Sequence, residues 1–187
     1  MIVLFLKYIS CMQKIENLLL DTIVEIIERN EELVSIAVCQ RAKFEGWLKF
    51  ELVRYLKRSF PDASVEFSVE NKSVDIHFDS AFVELKTPNT NYSNLCCESK
   101  TRPITKNVDD IIDDVKKLRD ILPQTGNNNN TGYVAFIMFP LDEGKLYMEH
   151  VDRITKEIKH LDDGIEPKMK EVCLNGVIPL LVYASRV

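Results

Sequence analysis

With 187 residues, the chain is long enough to bury a hydrophobic core, and we expect a single domain in which residues 1–40 form an N-terminal helical extension. Hydrophobic residues make up 45% of the chain and charged residues 28%, as in an ordinary soluble globular protein. The net charge of −5 and the isoelectric point near 5.3 argue against a basic protein that simply coats DNA. They do not exclude an enzyme whose acidic residues are concentrated in a metal site.

The N-terminus and the cysteines indicate a cytoplasmic protein. The opening segment MIVLFLKYIS is apolar, but it is about half as long as a membrane-spanning helix, and it lacks the charged start and cleavage site of a secretory signal. Met12 is a plausible natural start, which would make residues 1–11 an extension without function. We therefore expect no membrane association. The five cysteines are odd in number and show no CxxC spacing, which predicts a reduced protein.

The first half of the chain is predicted to be two helices followed by three strands. Apolar residues recur at intervals of three and four between residues 12 and 40, and a second helix is predicted over residues 42–58. Extended segments follow at about 64–69, 73–79 and 81–87. The next twenty or so residues show little periodicity, and loops of that length are usually functional or mobile.

The second half of the chain is predicted to alternate helices and strands. Asn107 is expected to cap a helix that ends near Leu122. The apolar run YVAFIMFPL is typical of a central strand that is buried on both faces. A helix over about 150–161 and a last strand, GVIPLLVYAS, complete the predicted order ααβββαβαβ. The fold class is therefore α/β.

The segment VDIHFDSAFVELKT, residues 74–87, is predicted to form a hairpin with one face buried. Apolar and polar residues alternate in both halves. If the chain turns at Asp79-Ser80, Phe78 pairs with Ala81, and Asp75 lies directly opposite Glu84 on the same face. Like charges in that position are destabilising, so we expect water, a lysine or a metal ion to offset the repulsion.

Lys86 lies two residues after Glu84 and shares its face of the strand. Two carboxylates and an ammonium group on one face suit a hard divalent cation, either Mg²⁺ or Mn²⁺, with a polarised water. The alternative is a solvated E-x-K pair, which is common on strands and contributes under about 1 kcal/mol. The position of Asp75 favours the functional interpretation, provided that the turn has the assumed length.

The preceding helix offers two more acidic residues. Glu51 lies within the apolar stripe of its helix, where a carboxylate is costly to bury without a partner, so we expect it to reach the same site as Asp75 and Glu84. The alternative is an ordinary hydrogen-bonded residue at the edge of the helix. Glu45 has Arg41 and Lys49 four residues away on either side, as in a surface ion pair, and is the second choice.

Together these residues resemble the PD-(D/E)xK nuclease superfamily. The resemblance covers residues 42–140 and consists of Glu45 or Glu51 on a helix, Asp75, and the run Glu84-Leu85-Lys86 at the end of a hairpin. The segments EGWLKFEL and DDIIDDVKKL also look like restriction-endonuclease-like proteins. Val74 stands where the family motif has proline.

The resemblance implies a restriction-endonuclease-like core, in which a central mixed β-sheet is flanked by helices, and Mg²⁺-dependent hydrolysis of phosphodiester bonds, with DNA as the expected substrate. The metal would be held by Asp75, Glu84, the backbone carbonyl of Leu85 and a helix glutamate. Lys86 would act on the water or the transition state. The family habit and the long N-terminal helix also suggest a homodimer.

Three basic residues of the long loop, Lys100, Arg102 and Lys106, are expected to contact nucleic-acid phosphates, although an ordinary solvated loop explains them equally well. A second functional hypothesis is a catalytically silent nuclease-like domain that binds nucleic acid or protein. A third is a structural α/β domain whose N-terminal helix mediates oligomerisation.

Overall fold

The computed structural model describes residues 2–59, 67–69, 74–78, 80–93, 104–126, 129–160 and 164–187. The helices in these ranges are α1 (Ile2–Arg29), α2 (Glu31–Cys39), α3 (Glu45–Ser59), α4 (Thr105–Ile121) and α5 (Tyr147–Lys159), with a short 3-10 helix over Leu122–Thr125. The strands are β1 (Phe67–Val69), β2 (Ile76–Phe78), β3 (Ala81–Lys86), β4 (Thr131–Met138), β5 (Lys168–Leu174) and β6 (Ile178–Arg186).

The strands form one mixed sheet in the order β1-β2-β3-β4-β6-β5. Only the β3–β4 pair is parallel among the pairings between these strands, and α4 provides the crossover that parallel neighbours require. Helices α1 and α3 pack on one face of the sheet, and α4 and α5 pack on the other. The predicted α/β class, with a central mixed sheet flanked by helices, is confirmed.

Strand β4 is the centre of the sheet, and all eight of its residues are buried. Tyr133, Ala135 and Ile137 face the α1 and α3 side, whereas Val134 and Phe136 face α4 and α5. The strict alternation between two buried faces explains why the whole segment is apolar. The prediction of a strand buried on both faces is confirmed.

The predicted N-terminal helix is divided in two at Asn30. The side-chain amide of Asn30 donates to the carbonyl of Ile26 at 2.8 Å, and a local side-chain bond of this kind competes with helix continuation. The apolar stripe of α1 is buried inside its own chain, where Ile23, Ile26 and Ile27 belong to the core beneath the sheet. The sequence argument for dimerisation through this stripe therefore loses its main support.

The predicted element order was wrong at both ends, because the order within the described residues is αααβββαβαββ. Strand β5 was missed because it lies at the sheet edge and carries several exposed charged residues. The available signal was Asn175-Gly176, since both residues have positive φ and the pair connects β5 to β6 in the manner of a type I′ turn. Helix α4 also begins earlier than predicted, and Asn107 donates its amide to the carbonyl of Asn89 instead of capping the helix.

Two further findings concern membrane-spanning helices and the pairing of cysteines. In the part of the chain that the structure describes, no helix is both long enough and apolar enough to cross a membrane. Cys173 is exposed and free, but Cys39 is disulfide-bonded, which contradicts the expectation of a fully reduced protein. The sequence missed this pair because cysteine spacing carries no information about which segments meet in the fold.

Candidate active site

The β2–β3 hairpin brings Asp75 and Glu84 together as predicted. Ile76 pairs with Val83 and Phe78 with Ala81, so the predicted register is confirmed. The carboxylate of Asp75 accepts a hydrogen bond from the backbone N–H of Leu85 at 2.9 Å. The two acidic residues are therefore neighbours across the strand pair, and the negative charge of Asp75 acts on the Glu84 carboxyl group.

The prediction that Val74 continues the alternation was wrong. Val74 packs with Phe82 and Leu118 on the α4 side of the sheet, whereas Ile76 and Phe78 pack on the α1 and α3 side. The regular strand begins only at Ile76, and residue 75 is a bend. This bend leaves Asp75 outside the strand, where its carboxylate can accept the Leu85 N–H.

Helix α3 contributes an ammonium group to Asp75. Lys49 Nζ lies 2.8 Å from Asp75 Oδ1 and 3.4 Å from Glu45 Oε1, and its side chain is only 9% exposed. The predicted i,i+4 pair between Glu45 and Lys49 is present, but Lys49 is buried and links the helix to the hairpin. This pair is therefore part of the candidate site and not an ordinary surface pair.

Helix α4 contributes a lysine and an aspartate from the other side of the sheet. Lys117 Nζ lies 2.6 Å from Glu84 Oε1, and the Glu84 side chain is only 1% exposed. Lys86 Nζ lies 3.0 Å from Asp114 Oδ2 and 4.0 Å from Glu45 Oε1. A lysine ammonium group therefore lies beside each of the four acidic residues, which are Asp75, Glu84, Glu45 and Asp114.

Burial and charge move the pKa values of the two hairpin carboxyls in opposite directions. Burial raises the pKa of Glu84 to about 7, and the negative charges of Asp75 and Asp114 add to this effect against the hydrogen bond from Lys117. Burial also acts to raise the pKa of Asp75, but the hydrogen bonds from Lys49 and Leu85 outweigh it and the pKa is lowered. The ionised form of Asp75 is therefore favoured, whereas the protonated form of Glu84 is favoured.

Lys86 remains a cation in this environment. Burial acts to lower the pKa of its ammonium group, but the ion pair with Asp114, together with the charge of Glu45, outweighs burial and raises the pKa. Burial raises the pKa of Asp114, against the opposing effect of Lys86. Lys86 is therefore suited to stabilise negative charge or to orient a water, and not to accept a proton.

Beside Lys86 a cleft of about 450 Å³ opens between α3 and α4. Its lining consists of Lys43, Glu45, Gly46, Lys86, Asp110, Asp113 and Asp114. Four carboxylates thus face two ammonium groups, so the cleft attracts cations. The net negative charge disfavours a phosphate inside the cleft unless a bound cation changes this balance.

The donor set fits a magnesium-type cation. Mg²⁺ is usually held by one or two carboxylates, with water and substrate phosphate completing the shell, and Asp75 and Glu84 provide two carboxylates on neighbouring strand positions. Asp114 Oδ2 is buried and accepts no well-directed hydrogen bond, although Lys86 Nζ is 3.0 Å away. The described residues contain no group of three or more His, Cys, Asp or Glu side chains arranged to hold a metal, so the match is to a two-carboxylate site.

The structure does not bring Glu51 to the other candidate residues. Its carboxylate pairs with Arg54 at 3.1 Å on the outer part of α3. Glu45, the second choice, lines the cleft instead and lies near both Lys49 and Lys86. Helical offsets alone could not decide between the two glutamates, because they do not specify how α3 is rotated against the sheet.

Of the three predicted phosphate-binding residues, Lys100 and Arg102 lie outside the described residues. Lys106 is exposed and lies one helical turn before Asp110 on α4, which places it on the cleft-lining face of that helix. Lys49, Asp114 and Lys117 were not predicted as site residues. The sequence does carry a signal for Asp114 and Lys117 of α4. Asp110, Asp114 and Lys117 are spaced at three- and four-residue intervals, which places them on one helical face.

The loop after β3 is held against the end of α2. Arg41 donates to the carbonyl oxygens of Thr90 at 2.6 Å and Tyr92 at 2.7 Å, and also to Asn89 Oδ1 at 3.2 Å. Asn89 in turn forms a parallel bridge with Phe139. These bonds hold the backbone that follows Lys86, so the ammonium group projects from a well-supported strand end.

The two glutamates of α3 provide a direct test of this arrangement. We expect Glu45→Gln to lower metal-dependent cleavage about tenfold more than Glu51→Gln, because supporting residues of metal sites typically affect activity by 10–100-fold and exposed ion pairs contribute little. Initial rates of plasmid nicking at saturating Mn²⁺ would measure the difference. A larger loss in Glu51→Gln would contradict the placement of Glu45 in the site.

Comparison with known proteins does not assign a function to this site. No family model matches the chain, and neither a curated protein nor a solved structure shows significant similarity to it. The functional inference therefore depends on the hairpin, the lysine network and the cleft.

Proposed function

We propose that this protein is a metal-dependent nuclease that hydrolyses phosphodiester bonds, with DNA as the substrate. The observation that carries the proposal is the hairpin register, which sets Asp75 beside Glu84 and Leu85, with Lys86 two residues after Glu84 on the same strand. A restriction-endonuclease-like core forms part of the proposal, supported by the mixed sheet and its flanking helices.

In this mechanism Asp75, Glu84 and the backbone carbonyl of Leu85 would hold Mg²⁺ or Mn²⁺. The bound cation supplies a polarised water near neutral pH and neutralises charge on the phosphate. Both carboxyl groups would have to be ionised to hold the cation, so cation binding would act against the raised pKa of Glu84.

Lys86 would stabilise the transition state electrostatically. Its ammonium group is fixed by Asp114 at 3.0 Å and is only 24% exposed, so little reorganisation is needed when negative charge develops nearby. Because its pKa is raised, it stays protonated throughout the working pH range. Glu45 and Asp114 would act as positioning residues for Lys86.

The electrostatics of the cleft support a cation-dependent reaction in particular. Four carboxylates line it, and a phosphodiester would be repelled by their net charge. A divalent cation held by Asp75 and Glu84, beside Lys86 of the cleft, would reduce this negative charge, so substrate binding and metal binding should be coupled. We therefore expect Mg²⁺ to strengthen DNA binding as well as to permit cleavage.

The test is incubation of wild-type protein with supercoiled, linear and branched DNA in Mg²⁺, Mn²⁺ or EDTA. We expect cleavage only with the divalent ions, together with a metal-dependent rise in Tm from binding to the folded state. Absence of cleavage on all three substrates, in protein that shows no rise in Tm at millimolar metal, would refute the proposal.

The second candidate is a catalytically silent nuclease-like domain. The observation that favours it is that Lys49, Lys86 and Lys117 already form ion pairs with Asp75, Asp114 and Glu84, so these three carboxylates have cationic partners without a metal. Metal titration separates the two candidates. A silent domain would show no metal-dependent change in Tm and no cleavage, while still binding nucleic acid or protein.

A further inference from the structure

An exposed stripe of side chains runs along α3 and begins at the cleft. Gly46, Phe50, Arg54 and Lys57 follow one another at spacings of four, four and three residues, which places them on one face of the helix. All four are exposed, and Gly46 lines the cleft. This α3 stripe therefore extends about 16 Å from the candidate active site, at the helical rise of about 1.5 Å per residue.

Phe50 is the most exposed large hydrophobic side chain among the described residues, at 60%. Its neighbour one turn earlier is Gly46, and a Cβ built at Gly46 would meet no atom within 4 Å. The surface beside the Phe50 ring is therefore open on the side that faces the cleft. A flat ligand can reach the ring face without moving the helix.

Basic side chains lie at both ends of the stripe. Lys43 lines the cleft, and Arg54 and Lys57 follow Phe50 by one and two turns. Arg54 pairs with Glu51 at 3.1 Å, but its side chain is 59% exposed, and exposed pairs of this kind contribute at most about 1 kcal/mol. Its guanidinium group can therefore contact a phosphate at little cost.

We propose that the α3 stripe binds a single strand of nucleic acid, with one base stacked on Phe50 and the adjacent phosphates on Lys43, Arg54 and Lys57. Cationic side chains that follow the backbone, together with an aromatic ring for the bases, are the features by which proteins bind single strands. In a duplex the base faces are stacked on one another, so a base cannot stack on the Phe50 ring.

The inference rests on the proposed nuclease function and specifies its substrate class. The strand leaves the α3 stripe at Gly46, beside Lys86 and the acidic cleft, so the scissile phosphate lies next to an unpaired segment. The preferred substrate is therefore nucleic acid with a single-stranded end or branch, and not a continuous duplex.

Binding is measured separately from cleavage, by fluorescence anisotropy of a labelled oligothymidine and of a matching duplex with full-length protein in EDTA. We expect Phe50→Ala to weaken oligothymidine binding about tenfold, the loss of one stacked base, with a much smaller effect on the duplex. Phe50→Leu should be similarly weak, because it keeps apolar area without an aromatic face, whereas Phe50→Tyr should bind like wild type. Leu146→Ala removes a comparably exposed side chain from outside the α3 stripe and should have no effect.

The basic residues of the α3 stripe are tested separately, through the salt dependence of single-strand binding. The logarithm of the single-strand binding constant falls linearly with the logarithm of the salt concentration, with a slope of about 0.7 per neutralised phosphate. The double variant Arg54→Ala, Lys57→Ala should therefore reduce that slope by about 1.4. Unchanged oligothymidine affinity in Phe50→Ala, full binding in Phe50→Leu, or equal losses on duplex and single strand would overturn the proposal. Single-strand binding without metal-dependent cleavage would instead refute the nuclease function and leave the α3 stripe assignment intact.

Discussion

Asp75→Asn is expected to reduce metal-dependent cleavage by roughly 10²–10³-fold, the usual cost of removing one preorganised electrostatic group. The substitution keeps the shape of the side chain but removes the charge that pairs with Lys49 at 2.8 Å and would hold the cation. Metal affinity should fall with activity. Cleavage rates and the metal-dependent shift of Tm, measured on the same preparations, check both effects.

Lys86→Ala is the informative comparison, because it should lose cleavage to a similar extent while metal binding is retained. The ammonium group lies 3.0 Å from Asp114 and would act on the transition state, not on the cation. Asp109→Asn provides a matched control on α4, since Asp109 forms an exposed pair with Arg153 at 2.6 Å away from the site. Wild-type activity in Asp75→Asn or Lys86→Ala would refute the assigned roles.

The metal-free protein is expected to lose roughly 1–3 kcal/mol of unfolding free energy between pH 5 and pH 7.5. The pKa of Glu84 rises from its ordinary 4.5 to about 7 in the folded protein. Between pH 4.5 and about pH 7, Glu84 binds a proton in the folded state but not in the unfolded state. The free energy of unfolding therefore falls as the pH rises through this range, and it levels off above pH 7. Asp75, whose pKa is lowered, acts in the opposite sense only below its ordinary 3.8.

Urea denaturation in EDTA at several pH values measures this dependence, and Glu84→Gln is the control that should remove most of it. Asp114 and Glu16, whose pKa values are also raised by burial, leave a smaller residual slope. Added Mg²⁺ should stabilise the protein more at pH 8 than at pH 6, since it binds the ionised carboxylates. An equal slope in wild type and Glu84→Gln would contradict the raised pKa of Glu84.

Much of the fold follows from local patterns in the sequence. The hairpin register came from the period of two and a short turn, and it is confirmed by the pairing of Phe78 with Ala81. The two-sided burial of β4 came from its continuous apolar run. Strand β5 shows the limit of this approach, because an edge strand needs few apolar residues and its pattern is easily missed.

By itself the sequence determined that Asp75, Glu84 and Lys86 belong to one hairpin, because strand pairing and alternation depend on neighbours in the chain. Only the tertiary structure decided their partners, because the rotation of α3 and the packing of the α4 crossover depend on the whole core. These contacts brought Glu45 to the cleft instead of Glu51, and added Lys49, Asp114 and Lys117. The carboxylate repulsion apparent in the sequence is relieved in the fold by lysines from two helices, Lys49 beside Asp75 and Lys117 beside Glu84.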